Sequence, residues 1–241
     1  MGEEPPGRKA LSLCFVEILV EGQTEEQFVK KVLAPSLQVF NVQVDAVIHS
    51  SKVIPDGPNF RGGGLKYERV RKETENLLRS PVDLVTTMFD YYELPGDFPG
   101  MATATGTPQQ RVSHIEQAYL KDVISRFPNA QNSAARFRPF IMLHEFEALL
   151  FADPSVTAKY LGVPNLSRDM ERALQRHNGS PEEINSSFAT SPSHIIKNTC
   201  SGYQKVSAGI TIVAAIGLGQ LCSACPHFGA WVAGLKSLTC P

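Results

Sequence analysis

The 241-residue sequence lacks an excess of either charge, because 23 Lys and Arg are balanced by 24 Asp and Glu, which leaves a formal net charge of −1. A protein that coats nucleic acid through bulk charge needs many Lys and Arg contacts to phosphate, so this class is disfavoured. A nucleic-acid enzyme whose basic residues are local, and whose phosphates are neutralised by metal ions, stays compatible with the composition.

The sequence also lacks a secretion signal and a bilayer-spanning run. Residues 1–10 are polar and rich in Pro and Gly, and the apolar run that follows carries Glu17 and no small-residue cleavage site. The most apolar segment, 208–219, has the length of a core helix. We therefore expect a cytoplasmic protein without a membrane span, which begins with a disordered leader over residues 1–11.

Cysteines are few, and their number is odd. Five cysteines fit reduced thiols in a cytosol, which is the state we expect for them. Cys222 and Cys225, with Cys200 upstream and His227 downstream, leave a zinc site open. Their spacing matches no standard zinc finger, and their apolar neighbours favour thiols that simply pack in the core.

Short apolar runs alternate with helical patterns in the first part of the chain. Strands are predicted at 13–20, 42–48, 82–89 and 137–143, and helices from Thr24 to Pro35, at 65–78 and at 112–126. The alternation predicts an α/β fold, a mainly parallel sheet sandwiched by helices, for a core domain over residues 12–151. Residues 152–241 show helical patterns, so we expect a helical C-terminal extension that packs on this core.

Acidic residues follow three of these strands: Glu21 the first, Asp90 the third, and Glu145 and Glu147 the fourth. The carboxyl ends of parallel strands share one edge of a sheet, where ligands bind, so these acids are expected to meet there. Glu25, in the first turn of the next helix, can face the same edge. Clustered carboxylates repel one another, and a hard cation such as Mg²⁺ or Mn²⁺ is the usual remedy.

Structural explanations compete with this interpretation. Glu25 and Glu26 are favourable in the first turn of any helix. Glu145 and Glu147 either share one side of a continuing strand or form the exposed first turn of the next helix. Lys205 is a phosphate-binding or a solvated lysine. A glycine-rich loop near a basic surface is either a nucleic-acid contact or a flexible loop. The basic residues are Arg61, Lys66, Arg69, Arg71 and Lys72.

Several segments carry a resemblance to a known family. They read VEGQTEEQFV, RGGGLKYERVR, TTMFDYYELPGDFPG, RFRPFIMLHEFEALLF, PEEIN, YQKVSAG and CPHFGAW. In combination, over roughly residues 14–235, they resemble a bacterial Toprim-like domain-of-unknown-function family, number 4276. The succession of strand, Glu-Gly, helix, strand and Asp is similar to the Toprim fold of topoisomerases, primases and overcoming-lysogenization-defect (OLD) nucleases.

The resemblance implies a nuclease that uses Mg²⁺ or Mn²⁺ to hydrolyse DNA or RNA in bacterial anti-phage defence. Glu21 and Asp90 would be metal ligands and catalytic residues, with Glu25 as a further ligand. Glu145 and Glu147 would complete a second metal site. Lys205 would be catalytic, near the scissile phosphate. Since the chain has no Walker A sequence, the resemblance also implies a separately encoded ABC/OLD-type ATPase partner.

One position departs from the Toprim pattern. Tyr92 stands where a second Asp is usual, so either Glu93, Asp97 or the Glu145/Glu147 pair supplies the missing ligand, or one metal binds alone. Two other functions therefore stay open. The chain is then a non-catalytic Toprim-like regulatory or scaffold subunit, or a metal-dependent phosphohydrolase of a small nucleotide. The oligomeric state, the strandedness of the substrate and the activating trigger are left open.

Overall fold

The computed structural model describes residues 12–52, 60–61, 65–127, 130–184 and 191–240, so the predicted leader over 1–11 lies outside the described residues. The strands are β1 (Cys14–Val20), β2 (Val42–Ile48), β3 (Ser50–Lys52), β4 (Phe60–Arg61), β5 (Leu84–Asp90), β6 (Phe137–Arg138) and β7 (Ile141–Met142). The first helices are α1 (Gln23–Phe28), α2 (Ala34–Leu37), α3 (Tyr67–Arg79), α4 (Pro108–Ile124) and α5 (Ala130–Ala135). The later helices are α6 (Pro154–Leu161), α7 (Pro164–Arg176), α8 (Pro192–Thr199), α9 (Ile210–Ile216), α10 (Leu218–Ala224) and α11 (Pro226–Lys236).

The main sheet is parallel throughout. Its strand order is β2-β1-β5-β6, and β7 also pairs with β5. Each pair runs parallel, with Val20 opposite Ile48 on one side of β1 and opposite Met88 on the other. The predicted class, an α/β fold with a mainly parallel sheet, is confirmed. The small antiparallel hairpin of β3 and β4 was not predicted.

Apolar side chains cover both faces of this sheet. Ile18 and Val20 of β1 belong to one buried cluster, which also contains residues of α1, α9 and α11. Leu19, which points the opposite way, belongs to a second cluster with residues of α3 and α4. Successive side chains of a strand alternate between faces, so burial on both faces explains why β1 is almost continuously apolar and why every residue of β5 is buried. The sheet is therefore sandwiched by helices.

A topological switch point lies between β1 and β5. From β1 the chain first goes to β2 on one side and then returns to β5 on the other side of β1. The connections that leave the carboxyl ends of β1 and β5 therefore run to opposite sides. Open α/β sheets bind ligands in the crevice at such a topological switch point. Glu21 directly follows β1 and Asp90 ends β5. The topology places both acids at this crevice.

Some predicted elements differ in detail. The fourth strand is broken into β6 and β7 around Pro139, because proline has no backbone N–H to donate to the ladder. The first helix begins at Gln23, not at Thr24, and its N-cap is Gly22. The backbone N–H of Gly22 donates to Glu25 Oε2 at 3.2 Å, so the side chain of Glu25 closes the first turn. The Thr24-to-Gln27 capping pattern is therefore not the one that starts this helix.

The cysteines were expected to be reduced, and for one pair this prediction is wrong. Cys14, at the start of β1, forms a disulfide with Cys240, across a sequence separation of 226. Cys200, Cys222 and Cys225 are free thiols. Burial raises the pKa of the Cys225 thiol well above its ordinary value, as expected for a thiol that packs in an apolar core.

The second half of the chain consists of short helices. Strands end at Met142 in the described ranges, and α6 to α11 follow. A domain boundary at residue 151 stays a prediction, since these helices share a buried cluster with the sheet. Within the described ranges no single helix is long and apolar enough to cross a membrane. The helical segments Lys205–Ile216 and Leu218–Ala224 reach that length and apolarity only when they are taken together, and they are bent by 88° relative to each other.

Candidate carboxylate site

Carboxylates from separate parts of the chain surround the ammonium group of Lys205. Its Nζ atom lies 3.2 Å from Asp90 Oδ2 and 3.5 Å from Glu147 Oε2. Glu25 Oε1 is 3.7 Å away. The side chains of these acids are only 3–6% exposed, whereas that of Lys205 is 34% exposed. Four segments of the chain therefore meet at one small, nearly buried group of charges.

Glu21 belongs to the same group of charges. Burial, together with the neighbouring charges of Asp90, Glu25 and Glu93, raises the pKa of Glu21 to about 8, against the opposing effect of Lys205. Burial likewise raises the pKa of Glu147 to about 7, against the opposing effect of Lys205. Such shifts are the signature of carboxylates crowded together with little solvent. Below, the carboxylate cluster means the four acids Glu21, Glu25, Asp90 and Glu147.

The side chains of Glu25 and Glu26, both in the first turn of α1, take different positions. Glu25 holds the Gly22 N–H with one oxygen and faces Lys205 with the other. Glu26 pairs with Lys30 at 2.7 Å, one turn along the helix surface, with the ammonium group half exposed. Glu26 thus acts as a surface charge, and Glu25 is the residue of the pair that enters the cluster.

Asp90 Oδ1 and the Tyr203 hydroxyl are buried and have no hydrogen-bond partner within the described residues. Asp90 is 4% exposed and Tyr203 is 6% exposed. Burying a polar group without a partner costs free energy, and such groups in proteins call for an explanation. Burial raises the pKa of Tyr203, with Glu147 and Glu145 adding to it, so its hydroxyl is a neutral group beside the cluster.

Glu145 and Glu147 do not lie on a continuing strand, nor in an exposed turn. Glu147 lies in a buried 3₁₀ helix, Phe146–Ala152, and is 2% exposed. Glu145 is the N-cap residue of that helix, and its Oε1 accepts a hydrogen bond from the backbone N–H of Ser193 at 2.6 Å. The chain turns sharply at His144, whose φ is 73°. The turn directs Glu147 into the cluster, while Glu145 holds the start of α8.

Lys205 reaches the cluster from a different part of the fold. It begins a π-helical turn, Lys205–Gly209, that leads into α9. Burial alone would lower the pKa of Lys205, but Asp90, Glu147 and Glu25 raise it well above its ordinary value. Lys205 is therefore a charged group within the cluster, and is not the solvated surface lysine considered as an alternative.

The donor set fits a hard divalent cation by type, since Mg²⁺ and Mn²⁺ prefer carboxylate oxygens. Asp90 Oδ1, buried and without a partner in the described part of the chain, is an oxygen such an ion would satisfy. As they stand, no three His, Cys, Asp or Glu side chains among the described residues are grouped closely enough to hold a metal. The oxygens are spaced around an ammonium group instead.

The predicted nucleic-acid contacts are less clearly grouped. The side chain of Arg61, in β4, lies outside the described residues. Lys66 is exposed just before α3, and Lys72 of that helix is paired with Glu68 at 2.8 Å. Arg69 is half-buried. A nucleic-acid surface formed by these residues stays a prediction.

Sequence analysis did not single out His49. It follows β2 and is 0% exposed, and its backbone N–H donates to the carbonyl of Val20, next to Glu21. Its Nδ1 lies 2.5 Å from Glu73 Oε2, and its Nε2 is buried without a partner among the described residues. The rule that located the acids, a polar residue at the carboxyl end of a strand, would have found it. The prediction considered only acidic residues at strand ends, so this histidine was missed.

Fold and site together define an α/β protein that gathers buried carboxylates at the carboxyl edge of a parallel sheet. The chain belongs to the family described as Domain of unknown function (DUF4276), which matches residues 20–236, so the family predicted from the motifs is confirmed. No curated protein matches the chain significantly.

Solved structures of OLD proteins resemble the chain in fold. The C-terminal region of the Burkholderia pseudomallei OLD protein is 12% identical, with 92% of this chain and 98% of that chain covered and a TM-score of 0.40. For the C-terminal region of the Xanthomonas campestris pv. campestris OLD protein the identity is 16%, the coverage 90% and 95%, and the TM-score 0.36. Similarities of this size carry no argument about activity.

Proposed function

We propose that the protein is a divalent-metal-dependent nuclease that hydrolyses phosphodiester bonds of DNA or RNA. The observation that supports it most is the convergence of Glu25, Asp90 and Glu147 within 4 Å of one point at the switch of the sheet. Collecting buried acids from three segments is costly unless a cation offsets their repulsion.

In this proposal the carboxylate cluster holds Mg²⁺ or Mn²⁺, with Glu145 as a further oxygen donor nearby. A bound metal would lower the pKa of a water molecule and offset negative charge on the phosphate. The chain itself contributes the positions of the acids, fixed by β1, β5 and the 3₁₀ helix at 146–152. The almost complete burial of Glu25, Asp90 and Glu147 excludes bulk water, and this strengthens their interaction with a cation.

The resemblance to OLD-type Toprim nucleases supports nucleic acid as the substrate and a bacterial defence system as the setting. It also supports a separately encoded ATPase as the partner that controls cleavage, since an unregulated nuclease endangers its own cell. The exposed Lys66 and Lys72, near the start of α3, are the residues we propose for backbone contacts.

A second function is favoured by a specific observation. Lys205 already neutralises part of the cluster, and Tyr92, at the position of the usual second Asp, stacks on His144 with ring centroids 5.4 Å apart. A Toprim-like scaffold without catalytic activity would show both features. One lysine faces three carboxylates, however, so the neutralisation is partial, and we place the nuclease first.

The test compares a substitution of Glu25, inside the cluster, with the same substitution of its neighbour Glu26, outside the cluster. Plasmid DNA and tRNA are incubated with the wild type, Glu25→Gln, Asp90→Asn and Glu26→Gln, with and without Mn²⁺ and with the candidate ATPase present and absent. We expect Mn²⁺-dependent cleavage by the wild type and Glu26→Gln. We expect at least a hundredfold loss in Glu25→Gln and Asp90→Asn, because each removes a charged ligand.

Equal activity of all the proteins would exclude the cluster as the catalytic site. A wild type that cuts neither polymer under any condition, but hydrolyses small nucleotides with Mn²⁺, would identify a phosphohydrolase. Inactivity towards every substrate would leave the scaffold.

A further inference from the structure

Lys205 occupies the centre of the carboxylate cluster. The distances from its Nζ to the nearest oxygens of Asp90, Glu147 and Glu25 are 3.2, 3.5 and 3.7 Å. The aromatic ring of Phe146 lies on the same lysine, with its centroid 5.8 Å from Nζ. Among the described residues, no other Lys or Arg forms an ion pair with these three acids. The ammonium group therefore has the position that an added cation would need.

An ammonium group and a divalent metal ion cannot share this position. Mg²⁺ binds oxygen at about 2.1 Å, whereas the three oxygens stand 3.2–3.7 Å from Nζ. To bind a metal, each oxygen would have to approach the centre by about 1.1–1.6 Å, and the ammonium group would have to leave. If the ammonium group stayed, its positive charge would repel the metal ion, and the repulsion would be strong because little solvent screens it.

The side chain of Lys205 is exposed enough to move out of the cluster. Its side chain is 34% exposed, whereas those of its three partners are 3–6% exposed. A lysine has four flexible methylene groups and a compact charge, so it can move to solvent without moving the backbone. The backbone of the acids is held by a strand end, a helix start and a buried 3₁₀ helix, so small side-chain rotations are enough to bring their oxygens to a metal ion.

We propose that Lys205 is an internal counter-ion that competes with the divalent cation for the same carboxylates. The inference rests on the proposed metal-dependent function and adds a regulatory step to it. In the metal-free protein Lys205 holds the acids together, and metal loading requires that its ammonium group is displaced. Lys205 thereby weakens metal binding and sets the metal concentration at which the site fills.

The test measures metal binding directly, apart from cleavage. Isothermal titration with Mn²⁺ is performed on the wild type, Lys205→Met, Lys205→Gln and Lys205→Arg. Lys30→Met serves as the matched control, because Lys30 pairs with Glu26 on the neighbouring helix surface, outside the cluster. We expect Lys205→Met and Lys205→Gln to bind Mn²⁺ at least tenfold more tightly than the wild type. Lys205→Arg and Lys30→Met should stay within threefold of it.

Thermal unfolding supplies a second readout. Without metal, Lys205→Met should unfold at a lower temperature than the wild type, since three buried acids lose their counter-ion, and Mn²⁺ should raise its midpoint by more than that of the wild type. Lys205→Gln retains a hydrogen-bond donor and is the variant to use if Lys205→Met does not fold.

The outcomes separate this inference from the proposed function. Unchanged or weaker Mn²⁺ binding by both neutral variants, with a wild type that binds Mn²⁺ and cleaves, would overturn the counter-ion role and leave the nuclease intact. If none of the proteins bound Mn²⁺, the metal site itself would be wrong, and both proposals would fail. Tighter binding by the neutral variants with no cleavage by any protein would support the counter-ion and exclude the nuclease.

Discussion

The close contact between Gly209 and Tyr203 gives the most specific prediction about the lysine segment. Gly209 ends the π-helical turn that begins at Lys205. A Cβ atom at this position would lie 2.8 Å from the Tyr203 hydroxyl and 3.4 Å from Cε1 of Phe146. Real Cβ atoms do not approach other atoms as closely as 2.8 Å, so Gly209→Ala must push the tyrosine aside.

The magnitude follows from two opposing effects. Forcing an extra methyl into a packed site costs about 1–3 kcal/mol, and replacing Gly by Ala in a helix returns up to about 1 kcal/mol. We therefore expect Gly209→Ala to lower the free energy of unfolding by about 1–2 kcal/mol. Tyr203→Phe removes the atom that clashes. In that background Gly209→Ala should be neutral or should stabilise by up to about 1 kcal/mol.

Urea denaturation of the wild type, both single variants and the double variant measures this coupling. Tyr203→Phe alone should be neutral or stabilising, because the hydroxyl is buried with no partner in the described part of the chain. If the effects of the two changes on the free energy of unfolding were additive within about 0.5 kcal/mol, the Tyr203 hydroxyl would not be the atom that a Cβ at position 209 meets. A large loss from Tyr203→Phe would show that the hydroxyl is satisfied, and the reasoning would fail.

Three further predictions concern stability. Burial opposes protonation of His227, but its hydrogen bond to Glu116 and the charges of Glu116 and Glu182 raise its pKa. Its stabilising effect is therefore complete below about pH 6.5 and is lost as the pH rises through the raised value. His227→Gln should make this loss smaller, and the remainder comes from Glu21 and Glu147, whose raised pKa values act in the same direction. Reduction of the Cys14–Cys240 disulfide should lower the unfolding midpoint, because a closed loop of this length contributes about 2–5 kcal/mol. Gly229→Ala places a Cβ 2.4 Å from the backbone oxygen of Cys222 and should cost about 2–3 kcal/mol.

Each of these has a control. A wild type whose stability is flat from pH 6 to pH 8, measured by urea denaturation, would contradict the His227 prediction. Cys200→Ser, at a free thiol, should leave the effect of the reductant unchanged, and Cys14→Ser should abolish it. Gly219→Ala, in α10, meets no atom within 4 Å and should stabilise slightly. Equal effects of Gly219→Ala and Gly229→Ala in thermal unfolding would rule out the close helix contact.

The strand predictions succeeded where both faces of a strand are buried. The runs that become β1 and β5 were located to within a residue or two, because strands buried in a parallel sheet are rich in apolar residues. The edge strand β2 was located from the alternation of apolar and polar residues in its sequence. The strand predicted at 137–143 was broken, although Pro139 was a visible signal. The β3–β4 hairpin has two strands of three and two residues, which are too short to show a periodic pattern of apolar residues.

The cysteine prediction failed for a different reason. The odd number of cysteines suggested free thiols, but pairing depends on which residues the fold brings together. Cys14 and Cys240 stand at opposite ends of the chain, and their Cα atoms are 5.5 Å apart. Their separation in sequence carried no information about this distance.

The sequence by itself determined the fold class, the family and the position of acids at strand ends, because these depend on local patterns of burial and on short motifs. Only the tertiary structure decided which of the acids meet. It placed Glu147 in the cluster, whereas the side chain of Glu145 binds the start of α8. It buried Glu25 and left Glu26 paired with Lys30 outside the cluster. It also brought Lys205, which lies 115 residues beyond Asp90, among the acids. The balance of charge at the site is a sum over segments far apart in the chain, and folding alone sets their distances.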